Sequence, residues 1–201
     1  MLRHPVLSVF ALAAALFTSG CLGLGGEPPV IARHSIDLIH PEPVAVAEQL
    51  PSLAVRSFEA RQRYEARVLR VELDGTKTYL EFDRWLEDPQ DALTDVVREA
   101  LADSRLFTVV GPATSGFDGD LILDGTVLEC DLLRTAEGPW RARLKLRLDV
   151  ARTESSEMLH AGVYAAEHDL PGASASGLGR AMRRCAGDVI AEALATWQRG
   201  R

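Results

Sequence analysis

The clearest pattern in the chain lies at residues 140–150. Trp140, Ala142, Leu144, Leu146, Leu148 and Val150 interleave with Arg141, Arg143, Lys145, Arg147 and Asp149. A period of two places the first set on one face and the second on the other, as in a half-buried antiparallel strand. Glu154-Ser155-Ser156 turns the chain into a further strand, Met158 to His168, with Leu159, Ala161, Val163 and Ala165 read as its inward face. Upstream, Leu121 to Leu133 is long enough for a full strand, with Leu128, Cys130 and Leu132 on one side. Tyr64 to Leu73 and Thr76 to Asp83 flank Asp74-Gly75, a strong hairpin signal. Shorter runs predict strands at Ser35 to His40, Ser52 to Phe58 and Leu106 to Val110, each closing on a Pro or Gly signal or a polar stretch.

Two segments carry a helical period instead. Asp88-Pro89-Gln90-Asp91 opens the first: Asp88 suits the cap, Pro89 the first helical position, and Asp91 the positive end of the dipole. Leu93, Val96, Val97, Ala100 and Leu101 then form one stripe, ending near Ser104. The second helix, about Ser176 to Trp197, presents Leu178, Met182, Cys185, Val189, Ala193 and Trp197 on one stripe. Strands in hairpin order with two intervening helices predict an α+β fold. Its mostly antiparallel sheet has about six to eight strands, with both helices on one apolar face.

The first residues follow a different rule. Met1-Leu2-Arg3-His4 is a short cationic start, and Val6 to Phe17 is apolar but for Ser8. Thr18-Ser19-Gly20-Cys21 follows. This is the layout of a secretory signal, and it is shorter than the roughly 20 residues that span a bilayer. A cysteine directly after a small residue is the lipobox pattern, although Thr18 stands where Leu is usual. Cleavage before Cys21 is therefore expected, with acyl chains on its sulfur and freed amine; two or more chains anchor stably where one does not. Residues 21–33 then form a lipidated Gly/Pro tether, and 34–201 a single periplasmic domain. Residues 22–33, fully extended, reach about 40 Å. Leu22 is not the Asp that commonly retains lipoproteins at the inner membrane, which favours the outer membrane.

Charge narrows the partners. Removing residues 1–20 takes away one of the 22 Lys and Arg and none of the 29 Asp and Glu, leaving a net charge of −8. An acidic body argues against nucleic acid and against electrostatic attachment to anionic lipid.

The inventory of reactive side chains offers no chemistry. His160 and His168 share a strand face but stand about 26 Å apart at about 3.3 Å per residue, too far for one metal. Cys130 and Cys185 lack the spacing of a zinc site, and Ser174 and Ser176 lack a nucleophile elbow. Walker A is absent, so any ATP is hydrolysed by another chain. No catalytic, metal or cofactor-binding residue is expected. In an oxidising compartment Cys130 and Cys185 either pair or stand as two buried thiols, with the thiols favoured. Arg141, Arg143, Lys145 and Arg147 make a basic row that either docks an acidic partner or a lipid headgroup, or is a solvated strand face offset by Glu129, Asp131 and other acids on neighbouring strands. Arg84 and Trp85 offer a second contact point, with Trp85 read either as an interface anchor or as a core lid.

The segment Tyr79-Leu80-Glu81-Phe82-Asp83-Arg84-Trp85-Leu86-Glu87-Asp88-Pro89 joins an aromatic strand to Arg-Trp and an acidic-Pro helix start. Ala100-Leu101-Ala102-Asp103-Ser104-Arg105-Leu106-Phe107-Thr108-Val109-Val110 follows, then Asp120 to Asp131, then an Ala-rich helix closing on Trp197. In this order behind a lipobox, the chain resembles the ABC-type transport auxiliary lipoproteins, which include the lipoprotein of the paraquat-inducible system. The resemblance covers nearly all of the chain after Cys21. It implies a non-enzymatic subunit of an ABC-type assembly that carries a mammalian-cell-entry (MCE) domain protein and moves lipids or other hydrophobic molecules across the envelope. The implied partners are the MCE protein, the other transporter subunits and the membrane through Cys21; a homo-oligomer is also permitted. The alternative is an outer-membrane assembly or scaffold lipoprotein unrelated to such a transporter.

Overall fold

The computed structural model describes residues 29–37, 48–114, 116–134, 136, 138–171 and 175–199. Cys21 lies outside these residues, as does the Leu38–His40 part of the first expected strand. Residues Ile31–Arg201 form one compact unit.

Strand β7 (Leu121–Leu133) organises the sheet. Along one side it pairs antiparallel with β8 (Arg141–Arg152), which pairs antiparallel with β9 (Met158–Asp169). Along the other side three short strands lie in line, all parallel to β7. They are β2 (Leu53–Val55) against Leu121–Leu123, β3 (Glu59–Ala60) against Thr126–Val127, and the end of β4 (Arg67–Val71) against Asp131–Leu133. Beyond β4 lie antiparallel β5 (Lys77–Trp85) and then parallel β1 (Ala32–His34); beyond β2 lies parallel β6 (Val110–Pro112). The α+β class and the two helices are as expected. Among the described residues the sheet has nine strands rather than six to eight, and it is mixed, with its longest pairings antiparallel.

The parallel pairs follow from topology. The chain leaves β4, turns through β5, crosses by helix α1 (Pro89–Ser104) and only then reaches β7. Strands buried on both faces lose alternation, and Leu53, Ala54 and Val55 are all buried. Some expected boundaries move as a result. The strand expected at Ser52 to Phe58 is β2, with β3 following; that expected at Leu106 to Val110 is β6, three residues long and starting at Val110. β1 begins at Ala32, inside the stretch expected as tether.

Helix α1 buries Leu93, Val96, Val97, Ala100 and Leu101, and helix α2 (Leu178–Arg199) buries the whole predicted stripe from Leu178 to Trp197. Both pack on the same face: α2 on β8 and β9, α1 on β6 and β7 and against α2. Trp197 fixes the end of α2 between the Phe107 ring, edge-on at 6.2 Å, and the His160 ring at 6.2 Å. Asp88 holds the N-cap position of α1, as expected, but its side chain makes no capping bond. Its Oδ1 accepts the Ala66 N–H at 2.6 Å instead, tying the helix start to the entry of β4. Gly125 on β7 makes room for Phe58, since a Cβ there would lie 2.3 Å from the ring.

Two bulges set the faces. Leu128 is an extra residue in β7, so the buried face changes from Leu121, Leu123 and Val127 to Cys130 and Leu132. Leu159 is the extra residue in β9: Val150 pairs with His160 and Ala151 with Met158. Beyond it the inward residues are His160, Tyr164, Ala166 and His168, and Ala161, Val163 and Ala165 are exposed. This corrects the expected face of the strand. Leu159 alone of the four expected residues packs against the core. A one-residue slip moves every following side chain to the opposite face.

Candidate functional site

The face of the sheet away from the helices carries the basic row. Three of its four members have an acidic neighbour across a strand: the register sets Arg141 beside Asp169, Arg143 between Asp131 and Glu167, and Lys145 beside Glu129, while Arg147 faces Thr126 and Val163. Arg141 donates to Asp169 at 2.6 Å. Arg143 makes a two-point bond to Asp131, 2.9 and 3.0 Å, and approaches Glu129 at 3.3 Å. Arg147 bonds Asp149 at 2.7 Å. The row is therefore offset within the sheet, as the second of the two sequence readings has it.

One of these pairs is buried. Asp131 has no exposed surface, and burial pushes its carboxyl above the ordinary range against the opposing pull of Arg143. Arg143 in turn holds its proton more tightly because of Asp131. Removing a carboxylate from water is costly, and a two-point guanidinium contact offsets part of that cost. The pair joins β7 to β8 and offers no free charge to a ligand.

The other expected positions lie elsewhere. Trp85 is 3% exposed and sits in the core with the His34 ring edge-on at 6.1 Å, the core-lid reading rather than the interface anchor. Arg84 turns its guanidinium onto the Leu80 and Asp83 carbonyls. Cys130 and Cys185 are free, buried thiols between α2 and the sheet. Cys130 Sγ lies 3.9 Å from Met182 Sδ, and Cys185 Sγ lies 3.4 Å from the Ala142 carbonyl. Burial pushes the Cys130 thiol well up and the Cys185 thiol to about 12, so neither supplies a thiolate near neutral pH. His160 lies against Trp197 and His168 bonds Asp188 at 2.8 Å. Among the described residues no three His, Cys, Asp or Glu side chains gather to hold a metal, and no helix is long and apolar enough to cross a membrane.

The feature that sequence reasoning missed is the outer edge of β9. Among the described residues this 12-residue strand pairs only with β8. It contains no proline and no lysine, and its carboxylates, Glu167 and Asp169, fall at one end. Ala161, Val163 and Ala165 line its solvent side, Val163 being 53% exposed. Edge strands are commonly protected by charge, proline or a bulge. Here the bulge at Leu159 protects only the start. The apolar alternation that signals the strand is visible in the sequence, but it carries no mark of which face meets solvent.

No family model and no curated relative matches the sequence. Solved structures share the fold. Protein XCC0632 of Xanthomonas campestris, described by the family model DUF330, superposes with a TM-score of 0.68 at 14% identity, covering 81% of this chain and 92% of its own. An uncharacterised protein gives 0.62 at 12% identity, covering 85% and 99%. Protein CT253 of Chlamydia trachomatis gives 0.51 at 10% identity, covering 72% and 95%. At these identities the chain shares with all three a fold.

Proposed function

We propose that the chain is a lipid-anchored periplasmic accessory subunit of an ABC-type transport system, acting by contact with an MCE-domain protein while other subunits hydrolyse ATP and form the pathway. The cargo class is lipid or other hydrophobic molecules. Acyl chains on Cys21 hold it at a membrane, the outer one by the identity of Leu22. The order of motifs behind the lipobox supports the assembly, and the open β9 edge supports contact as its mode of action. A partner strand added at such an edge gains main-chain hydrogen bonds, and Ala161, Val163 and Ala165 supply a flat apolar row beside them. A lipid tether raises the effective concentration of the domain at the membrane, so a modest interface suffices.

The test is co-purification with an MCE-domain protein of the same cell envelope, comparing the native chain with an Ala161→Lys/Val163→Lys variant. Both side chains are exposed, so melting should be unchanged, while the complex weakens about tenfold or more, equivalent to about 1.4 kcal/mol. Absence of any complex under crosslinking, with stoichiometric uptake of a hydrophobic ligand by the isolated chain, makes it a carrier instead and ends this reading. Capture of an outer-membrane barrel in place of the MCE protein moves it to the scaffold class.

A further inference from the structure

We infer that Arg180, Arg183 and Arg184 form a docking surface for the anionic phospholipid headgroups of the membrane that holds the tether. The three arginines sit at i, i+3 and i+4 on the first turns of α2, on one exposed stripe opposite the buried one. Among the described residues none of them has an ion-pair or hydrogen-bond partner. The nearest acids, Asp169 and Asp188, each line one of the clefts beside the arginines but bond other partners, Asp188 to His168 at 2.8 Å and Asp169 to Arg141 at 2.6 Å, so three guanidiniums face two carboxylates. Two open clefts of about 380 and 410 Å³ flank the cluster. Arg180 and Arg184 line both, with Pro171 and Gly177 on one side and His168 and Gly187 on the other. A Cβ at Gly187 would meet nothing within 4 Å, so the second cleft is open at its floor. Three exposed guanidiniums without an ion pair stand here as a local exception in a chain whose net charge of −7 disfavours anionic lipid as a whole, and each can clasp a phosphate with two N–H groups.

The tether favours a membrane over an acidic protein as the occupant. Gly179, directly before Arg180, is where the incoming chain meets α2: a Cβ there would lie 2.5 Å from the Ser35 carbonyl oxygen. The segment entering from the anchor first pairs with β5 through β1 and passes the arginine end of α2 directly after it, at Ser35. Cys21 to Ser35 spans at most about 50 Å, so the patch stays within that reach of the bilayer. The orientation rests on the lipid-anchored reading above. Anionic lipid adds about fivefold in binding per arginine near the surface, so three give about 100-fold.

The test uses residues 21–201 made without the signal, hence unacylated and containing the whole compact unit. The chain is floated with phosphatidylcholine vesicles with and without phosphatidylglycerol. Binding should require phosphatidylglycerol, weaken with salt, and fall about 100-fold in Arg180→Gln/Arg183→Gln/Arg184→Gln. Arg147→Gln, on the far face of the sheet, should bind as the native chain does. Failure of the native chain to bind at low salt, equal binding by the triple variant, or binding to polyglutamate in place of vesicles overturns the proposal. Fatty-acid labelling of the full chain and its Cys21→Ala variant reports on the anchor separately, so the two readings fail independently.

Discussion

Met182→Asp is expected to leave the domain unfolded at room temperature, while Arg183→Asp, one residue on, should melt close to the native chain. Met182 has no exposed surface and lies between α2 and the sheet, its sulfur 3.9 Å from that of Cys130. Its neighbours along the stripe, Leu178, Cys185, Ala186 and Val189, are equally buried. The substitution removes a side chain whose truncation alone costs about 2–5 kcal/mol, and it adds a carboxyl with no partner, which costs several kcal/mol more. A domain of this size holds about 5–15 kcal/mol in total. Arg183 is exposed and unpaired, so its replacement touches only solvent and, in the membrane reading, phosphate. Thermal melts of the two variants decide the matter: comparable midpoints would show that α2 does not pack through this face.

The second large effect belongs to the Asp131–Arg143 pair. Arg143→Met should cost about 3–5 kcal/mol near neutral pH, because it strands a buried carboxylate. The pH dependence has a definite sign. Burial raises Asp131 above its unfolded pKa, so folding favours the protonated acid. That contribution is full below the unfolded pKa and is lost as pH rises through the folded one. Removing Arg143 takes away the leading influence that lowers the folded pKa and so widens the window upward. The variant should therefore recover stability as the pH falls from neutral into the carboxylate range. Adding Asp131→Asn should remove that pH dependence and restore much of the loss. Denaturant titrations across pH measure both, and a small, pH-independent loss from Arg143→Met would falsify the assignment of a charged buried pair.

The sequence announced those elements whose burial is one-sided. The stripes of α1 and α2 and the alternation of β8 transfer directly into buried faces, since each meets the core on one side and water on the other. β2 did not show its pairing, because Leu53, Ala54 and Val55 are covered on both sides and carry no period. The parallel pairings were hidden for a related reason: adjacency in the chain suggests hairpins, and nothing local in residues 53–71 refers to residues 121–133. The inverted face of β9 came from one inserted residue, Leu159, which propensity cannot mark. At the candidate sites, Trp85 was legible as an aromatic position, but only the fold distinguishes core from contact. The β9 edge was concealed by the same inversion. The stripe of Arg180, Arg183 and Arg184 was readable at helical spacing, and what the fold adds is that, among the described residues, none of the three makes an ion pair.

The in-line arrangement of β2, β3 and β4 against β7 dictates an order of assembly. Leu53 pairs with Leu121 and Leu69 with Asp131, so these contacts close long loops. The β7–β8–β9 meander closes short ones and continues directly into α2. Loop closure costs entropy before distant pairs return anything, so the C-terminal half is the natural nucleus. A chain that emerges from its N-terminus, at a ribosome or through an export channel, presents its parts in the reverse sequence. β2, β3 and β4 come out with no strand to pair with and wait until residue 133 has followed them. For that interval their apolar segments are exposed to any passing edge, and holding them apart falls to whatever binds the chain in transit.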